Sequence, residues 1–219
     1  MNAAQLRRHR AAMWPMPRAV LDLDFVRQRY WWNGQLRTTA AFTTYTLNAS
    51  TFNEYGLTPS TTIDWTLALA GVGTVVPGAY AVLAGHNQTV AAANNIFQLD
   101  DATANERVAC NQSTTPSFQI AVVDGGATQC TLGPAVAGTL NVFHGHAASY
   151  DTNSFIAASN GVLGTTDTAG TLPTVTTLRI GKGTAASTEI LGFISRLILF
   201  NSVRTSGEVI ALSVATRMF

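Results

Sequence analysis

The sequence predicts an all-β protein built as a two-sheet antiparallel sandwich. Three observations carry this. Short runs rich in β-branched and aromatic residues recur at spacings of about 8–14 residues, with Gly, Pro, Asn or Asp between them. No segment before Ser206 shows a convincing helical period. The composition, with 18 glycines and only 11% charged residues in 219, suits a tightly packed, sheet-rich chain. That length makes one sandwich with a substantial core, so residues 21–219 read as a single domain behind an N-terminal arm, residues 1–20.

Leu21, Leu23 and Phe25 alternate with Asp22 and Asp24, which predicts a first strand with one apolar and one solvated face. Tyr30-Trp31-Trp32 is an aromatic cluster that ends in the hairpin signal Asn33-Gly34. Thr38 to Tyr45 reads as another strand, and Ile63, Trp65, Leu67 and Leu69 share the buried face of the next. Further strands are expected over Tyr80–Ala84, Asn95–Leu99, Glu106–Asn111, Phe118–Val123, Thr128–Leu132, Leu140–Ala147 and Ser154–Ala158.

The C-terminal stretch is the most informative. Thr174–Ile180 and Ile190–Phe200 read as long strands joined by a loop of small residues. The second is apolar throughout except for Ser195 and Arg196, as in a strand covered on both faces. Thr205-Ser206-Gly207-Glu208 has capping-box spacing, so a helix is expected to start near Ser206 with Val209, Ile210 and Leu212 on the sheet.

Asn160-Gly161-Val162-Leu163-Gly164, Leu172-Pro173-Thr174 with Leu178-Arg179-Ile180-Gly181, and Leu191 to Asn201 followed by Ser206, Glu208 and Ala211-Leu212 form a series. It resembles the C-terminal half of concanavalin A-like, laminin-G-like jelly-roll domains, in the version common in bacteriophage virion proteins. The resemblance covers roughly residues 60 to 214 and is strongest over the last 60. Leu21 to Phe25 is also similar to the start of many phage tail and head-appendage proteins. Such motifs specify a fold and leave the activity open.

The net charge of +1 conceals an asymmetry: seven arginines stand against two aspartates up to Arg37, and the remainder is mildly acidic. Arg7, Arg8, Arg10 and Arg18, with Trp14 and Met16 as apolar pegs, read as a docking surface for acidic patches on neighbouring subunits. So few cations would hold nucleic acid only weakly, and nucleic acid is not an expected partner. There is no run of 18 apolar residues to cross a membrane. Trp14-Pro15-Met16-Pro17 interrupts any signal-like core, so synthesis in the host cytoplasm is expected.

Candidate chemistry is sparse. Glycoside hydrolases of this fold carry three closely spaced carboxylates, whereas the four glutamates here, Glu54, Glu106, Glu189 and Glu208, have no suitably spaced acidic partner. No enzyme activity is expected. His144-Gly145-His146 puts two imidazoles on one strand face, but no third zinc ligand is recognisable, and His86 reads as isolated. Asp100-Asp101 and Asp151 with Asn153 offer loop oxygens of the kind calcium takes, though such residues more often cap turns, and no cofactor is expected. Cys110 and Cys130 admit three readings: a disulfide, two small buried hydrophobes, or intermolecular links. Tyr30, Trp31 and Trp32 are the candidate glycan contacts, with a core or interface role as the competing one.

The resemblance implies a non-enzymatic virion structural protein, displayed on capsid or tail as a decoration, spike or appendage. Its partners would be other virion subunits, its state homo-oligomeric, and its location the virion. A carbohydrate-binding module contacting host surface glycans is the alternative.

Overall fold

The structure, a computed structural model, describes residues 18–42, 51–59, 65–86, 94–113, 117–133, 138–184 and 190–215. Arg7, Arg8, Arg10, Trp14 and Met16 lie outside these residues; Arg18 is exposed, with a φ of 65°.

Two antiparallel sheets form the sandwich, as the sequence predicts. The ten-stranded sheet runs in the order β14 (Val162–Asp167), β13 (Ser154–Ser159), β12 (His144–Asp151), β7 (Gly78–His86), β16 (Gly192–Phe200), β1 (Leu21–Asp24), β2 (Arg29–Trp32) and β3 (Gln35–Arg37). The hairpin of β4 (Thr51–Asn53) and β5 (Gly56–Thr58) branches from it, β5 pairing with β16. The six-stranded sheet runs β11 (Ala127–Leu132), β10 (Phe118–Asp124), β9 (Arg107–Gln112), β8 (Asn94–Asp100), β15 (Thr177–Ile180) and β6 (Trp65–Ala68). A C-terminal helix, α1 (Ser206–Ala215), starts where the capping box places it. The Glu208 N–H donates to Thr205 Oγ1 (3.4 Å), and the Thr205 N–H donates to Glu208 Oε2 (2.9 Å).

The sheets face each other across one core. Leu21, Leu23, Tyr80, Val82, Leu197 and Leu199 meet Phe97, Leu99, Val108, Ile120 and Leu178 there. Strand β16 is buried along its whole length, as its apolar run predicts. Its outer face is covered at one end by α1, whose Val209 packs on Ile198, Phe200 and four alanines: Ala79, Ala81, Ala147 and Ala158. Alanine at these outward positions leaves the sheet smooth enough for a helix to lie close.

Several expectations are corrected. Asp22 and Asp24 are 1% and 2% exposed, because Arg196 and Arg27 reach them. Thr38–Tyr45 does not begin as a strand: Thr39–Ala41 is a 3-10 turn that delivers Phe42 to the core, and residues 43–50 lie outside the described residues. With Phe42 its one buried apolar residue there, the stretch has no alternating face to lay on a sheet. Strand β12 starts at His144 instead of Leu140, because Asn141 takes a left-handed φ of 59° that ends any extended run. Strand β14 was not expected; it is an open edge strand with no fully buried residue. The two C-terminal strands, β15 and β16, belong to different sheets.

The cysteines are both free and buried. Cys110 on β9 sits opposite Ile120 and Cys130 on β11 opposite Val122, with β10 between them. Two strand spacings separate their backbones by about 9–10 Å, beyond the roughly 7 Å that a disulfide spans. The disulfide reading is therefore wrong, and the thiols act as small core hydrophobes.

Candidate functional site: an aromatic groove on the ten-stranded sheet

The expected glycan contacts are mostly inside the protein. Tyr30 is 1% and Trp32 4% exposed. Tyr30 packs in a ring cluster with Phe25, Phe42 and Trp65 at centroid distances of 5.4–6.0 Å, and Trp32 packs on Phe42 at 5.7 Å. No sugar reaches either ring. Trp31, on the opposite face of β2, is half-buried between Asp22 and Leu36 in the strand register.

An aromatic cluster with one exposed ring lies elsewhere, on the outer face of β1, β7 and β16, where Phe143 is half-buried and Phe193 is 7% exposed. Three rings from three distant segments converge. Phe143 and Phe193 meet nearly edge to face at 4.7 Å, and Tyr55 lies 5.5 Å from Phe193 and 5.9 Å from Phe143. Tyr55 is 45% exposed. Beside these rings runs a groove of about 600 Å³, lined by Asp24, Arg27, Glu54, Tyr55, Asn141 and Arg196 among others. That volume falls in the ordinary range for small-ligand sites. A second depression of about 540 Å³ on the far side of Tyr55 shares Tyr55, Asn141 and Phe143 and adds Asn53 and Phe193.

Local sequence explains why each ring is where it is. Glu54 and Tyr55 are the two central residues of the β4–β5 turn, in which the Tyr55 N–H donates to Asn53 Oδ1 (2.8 Å). Gly56 has a φ of 119° and crosses β16 so closely that a Cβ would stand 2.3 Å from the Ile194 oxygen; only glycine allows this approach. The β16 ladder to β7 is interrupted between Ile194 and Arg196, leaving Ser195 as a bulge. The Ser195 hydroxyl donates to the Tyr55 carbonyl oxygen, tying the turn to the bulge. Phe193 lies opposite Gly85, and its ring covers the glycine: a Cβ there would sit 2.2 Å from Phe193 Cζ. Asn141 donates its backbone N–H to the His86 oxygen (2.8 Å), anchoring the loop that presents Phe143.

Charge in the groove is arranged in pairs. Arg27 donates from its backbone N–H (2.9 Å) and Nη1 (2.6 Å) to the two Asp24 oxygens. Arg196 donates from Nε (2.9 Å) and Nη2 (2.7 Å) to Asp22, which lies beneath the groove. Glu54 is exposed at the turn tip, and its carboxylate accepts from the Tyr55 hydroxyl, which raises the tyrosine's pKa.

The remaining candidates are structural. His144 and His146 share a strand face, as their spacing predicts, but it is the inner face. Asn160 accepts the Gly145 N–H at Oδ1 (3.0 Å), so its amide nitrogen donates to His144 Nδ1 (2.9 Å). His144 Nε2 lies 2.9 Å from the Thr139 nitrogen and 2.8 Å from the Thr139 oxygen, so both ring nitrogens are engaged. His146 Nδ1 pairs with Ser159 Oγ at 2.7 Å. His86 is not isolated: its ring stacks on His144 at 5.4 Å with planes 11° apart. The loop acids cap turns. Asp100 accepts from Gln98, Ala102 and Arg179, and Asp101 accepts from Thr103. Asp151 accepts the N–H of Thr152, and Asn153 that of Gly170. Among the described residues no group of three or more His, Cys, Asp or Glu is arranged to hold a metal ion, and no helix is long and apolar enough to cross a membrane.

Nothing in the sequence marked the groove. Residues 55, 143 and 193 share no period, and Phe143 was assigned to the interior of a strand. The available signal was Tyr55 itself, an aromatic at the tip of a two-residue turn between Asn53 and Gly56.

The fold is a jelly-roll sandwich with an aromatic groove on its ten-stranded sheet, and similar solved structures share the sandwich architecture. Domain 4 of AbnA, a GH43 extracellular arabinanase from Geobacillus stearothermophilus, solved with arabinotriose, matches with a TM-score of 0.65 and 11% identity. The match covers 90% of this chain and 98% of that one. The CBM40 domain of the Ruminococcus gnavus IT-sialidase, solved with α2,3 sialyllactose, matches at 0.52 with 18% identity, over 62% of this chain and 81% of that one. The NanB sialidase from Streptococcus pneumoniae matches at 0.53 with 14% identity, over 67% of this chain but 26% of the enzyme. Identities this low show the fold alone. No protein-family model and no curated protein matches the sequence.

Proposed function

We propose that this chain is a non-catalytic carbohydrate-binding module that holds a saccharide in the Tyr55 groove. The observation that carries the reading is the convergence of Tyr55, Phe143 and Phe193 beside a polar rim of Asn53, Glu54 and Asn141. Aromatic faces take the C–H surfaces of a sugar ring while carboxylate and amide groups take its hydroxyls. The structural neighbours support the same reading, since two of them were solved with saccharides bound. A non-catalytic role is supported by the pairing of Asp24, both of whose oxygens are engaged by Arg27, and by the lack of a spaced carboxylate set in the sequence.

Virion display rests on the sequence resemblance alone, and the neighbours lend it no support. Glycan-array screening of the whole chain, followed by calorimetric titration of any hit against the protein and its Tyr55→Ala variant, tests the proposal. Binding about 5–30-fold weaker in Tyr55→Ala is expected. Hits that are indifferent to Tyr55 would place the site elsewhere, and a blank array would end the reading.

A further inference from the structure

The groove's charge balance makes a statement about which sugars enter it. Four charged side chains line it among the described residues: Asp24, Arg27, Glu54 and Arg196. Both arginines are committed to aspartates. Arg27 clasps Asp24, whose side chain is 3% exposed, and Arg196 clasps Asp22 through two donors, with side chains 3% and 1% exposed. The Arg27 side chain is itself 40% exposed, but three carboxylates (Asp22, Asp24 and Glu54) stand against two guanidiniums (Arg27 and Arg196) in and beneath the groove, which leaves it one negative charge in excess. Glu54 differs. It is exposed, takes part in no ion pair among the described residues, and stands at the aromatic platform with its carboxylate on the Tyr55 hydroxyl.

We infer that the groove is specific for uncharged saccharides and discriminates against sugar acids, with Glu54 as the discriminating residue. This rests on the carbohydrate reading above. Neutral hydroxyl-rich rings satisfy Glu54 and Asn141 as hydrogen-bonding partners and lay their C–H faces on Tyr55 and Phe143. An anionic sugar meets the Glu54 charge in a groove whose carboxylates outnumber its guanidiniums by one. Two like charges about 6 Å apart at an effective dielectric constant of about 40 repel by enough to weaken binding about tenfold.

The test uses the full chain at about 0.01 M salt, where the screening length is about 30 Å and the repulsion is little reduced. An array carrying neutral pentose and hexose oligosaccharides beside sialylated and uronate-bearing ones is screened first. The best neutral hit is then titrated against its congener carrying one carboxylate, using the parent protein, Glu54→Gln and Tyr55→Ala, with circular dichroism to confirm that each variant is folded. Hits among neutral glycans are expected, with the carboxylated congener about tenfold weaker, a gap of threefold or less in Glu54→Gln, and both ligands weakened about 5–30-fold in Tyr55→Ala. Three results would overturn the inference: hits confined to acidic glycans, a congener that binds as tightly as its parent, or a gap unchanged in Glu54→Gln. A panel with no hit of either kind would instead overturn the carbohydrate reading itself, so the two failures are distinguishable.

Discussion

Asp22 of β1 and Arg196 of β16 are joined by two hydrogen bonds, of 2.9 and 2.7 Å, beneath the groove floor, with 1% and 3% of their side chains exposed. A buried pair of this kind adds little over well-packed apolar residues, yet losing one member leaves the other charge stranded. Asp22→Asn or Arg196→Met should each cost about 3–5 kcal/mol of folding stability, and the double variant Asp22→Leu with Arg196→Met less than the sum of the two. Urea unfolding midpoints at neutral pH measure this. Single variants within 1 kcal/mol of the parent would mean that the pair is solvated.

Tyr55 is the ring most open to a ligand, and its backbone, not its side chain, holds the β4–β5 turn through Asn53 and Ser195. Tyr55→Ala should therefore leave the fold intact and weaken saccharide binding by about 1–2 kcal/mol, roughly 5–30-fold. Calorimetry with the array-derived ligand, beside a thermal melt of the variant, separates the two effects.

Gly85 offers a way to move the platform without touching it. A methyl group there meets the outer atoms of the Phe193 ring, which can swing away, and no backbone atom of another strand is among its nearest contacts. Gly85→Ala should cost little stability, about 1 kcal/mol or less, while displacing Phe193 and lowering affinity several-fold. A large loss of stability with unchanged binding would show that the ring does not serve the ligand.

The architecture was legible because a sandwich strand needs a period of two and punctuation, and β7 to β13 have both. The Asn33-Gly34 and Asn160-Gly161 turns show it residue by residue: all four take positive φ, as the dipeptide signals. The burial of Asp22 and Asp24 was not legible, because alternation assigns them to the solvent face. Asp24 is held by Arg27, three residues on, but what covers Asp22 is Arg196, 174 residues away, and a local pattern carries no such information. The site was hidden for a related reason. Its rings are gathered by a bulge at Ser195 and a close crossing at Gly56, features of pairing geometry that leave no periodic trace. Tyr30, Trp31 and Trp32 were more conspicuous because they are contiguous, yet two of the three build the core.

The cysteine arrangement predicts chemical silence. Burial pushes both thiol pKa values well up, so little thiolate forms at neutral pH. An Ellman-type reagent should label neither Cys110 nor Cys130 in the folded chain and both after unfolding in guanidinium. Reductant should leave the thermal midpoint unchanged, whereas a fall on reduction would reveal a bond between chains.

Acid should weaken the fold through His146. Its ring is sealed between the sheets, near Tyr80 at 5.7 Å and Phe118 at 6.3 Å, with Ser159 Oγ on Nδ1. Phe118 separates it from His144, and no acid is among the partners of its ring. Desolvation drops its pKa from 6.5 to about 3. The unfolded chain takes up this proton below about pH 6.5, whereas the folded chain refuses it until about pH 3. Between those values the unfolded state binds more protons, so stability is full above about pH 6.5 and falls as pH drops, by at most about 1.4 kcal/mol per pH unit from this residue. Denaturant titrations at pH 7, 6, 5 and 4 should show the decline, with proton uptake on unfolding rising by about one per molecule across the window. In His146→Gln that uptake should shrink by about one proton whatever the variant's absolute stability, because the lost group is the one that titrates. An unchanged uptake would place the acid sensitivity elsewhere in the sandwich.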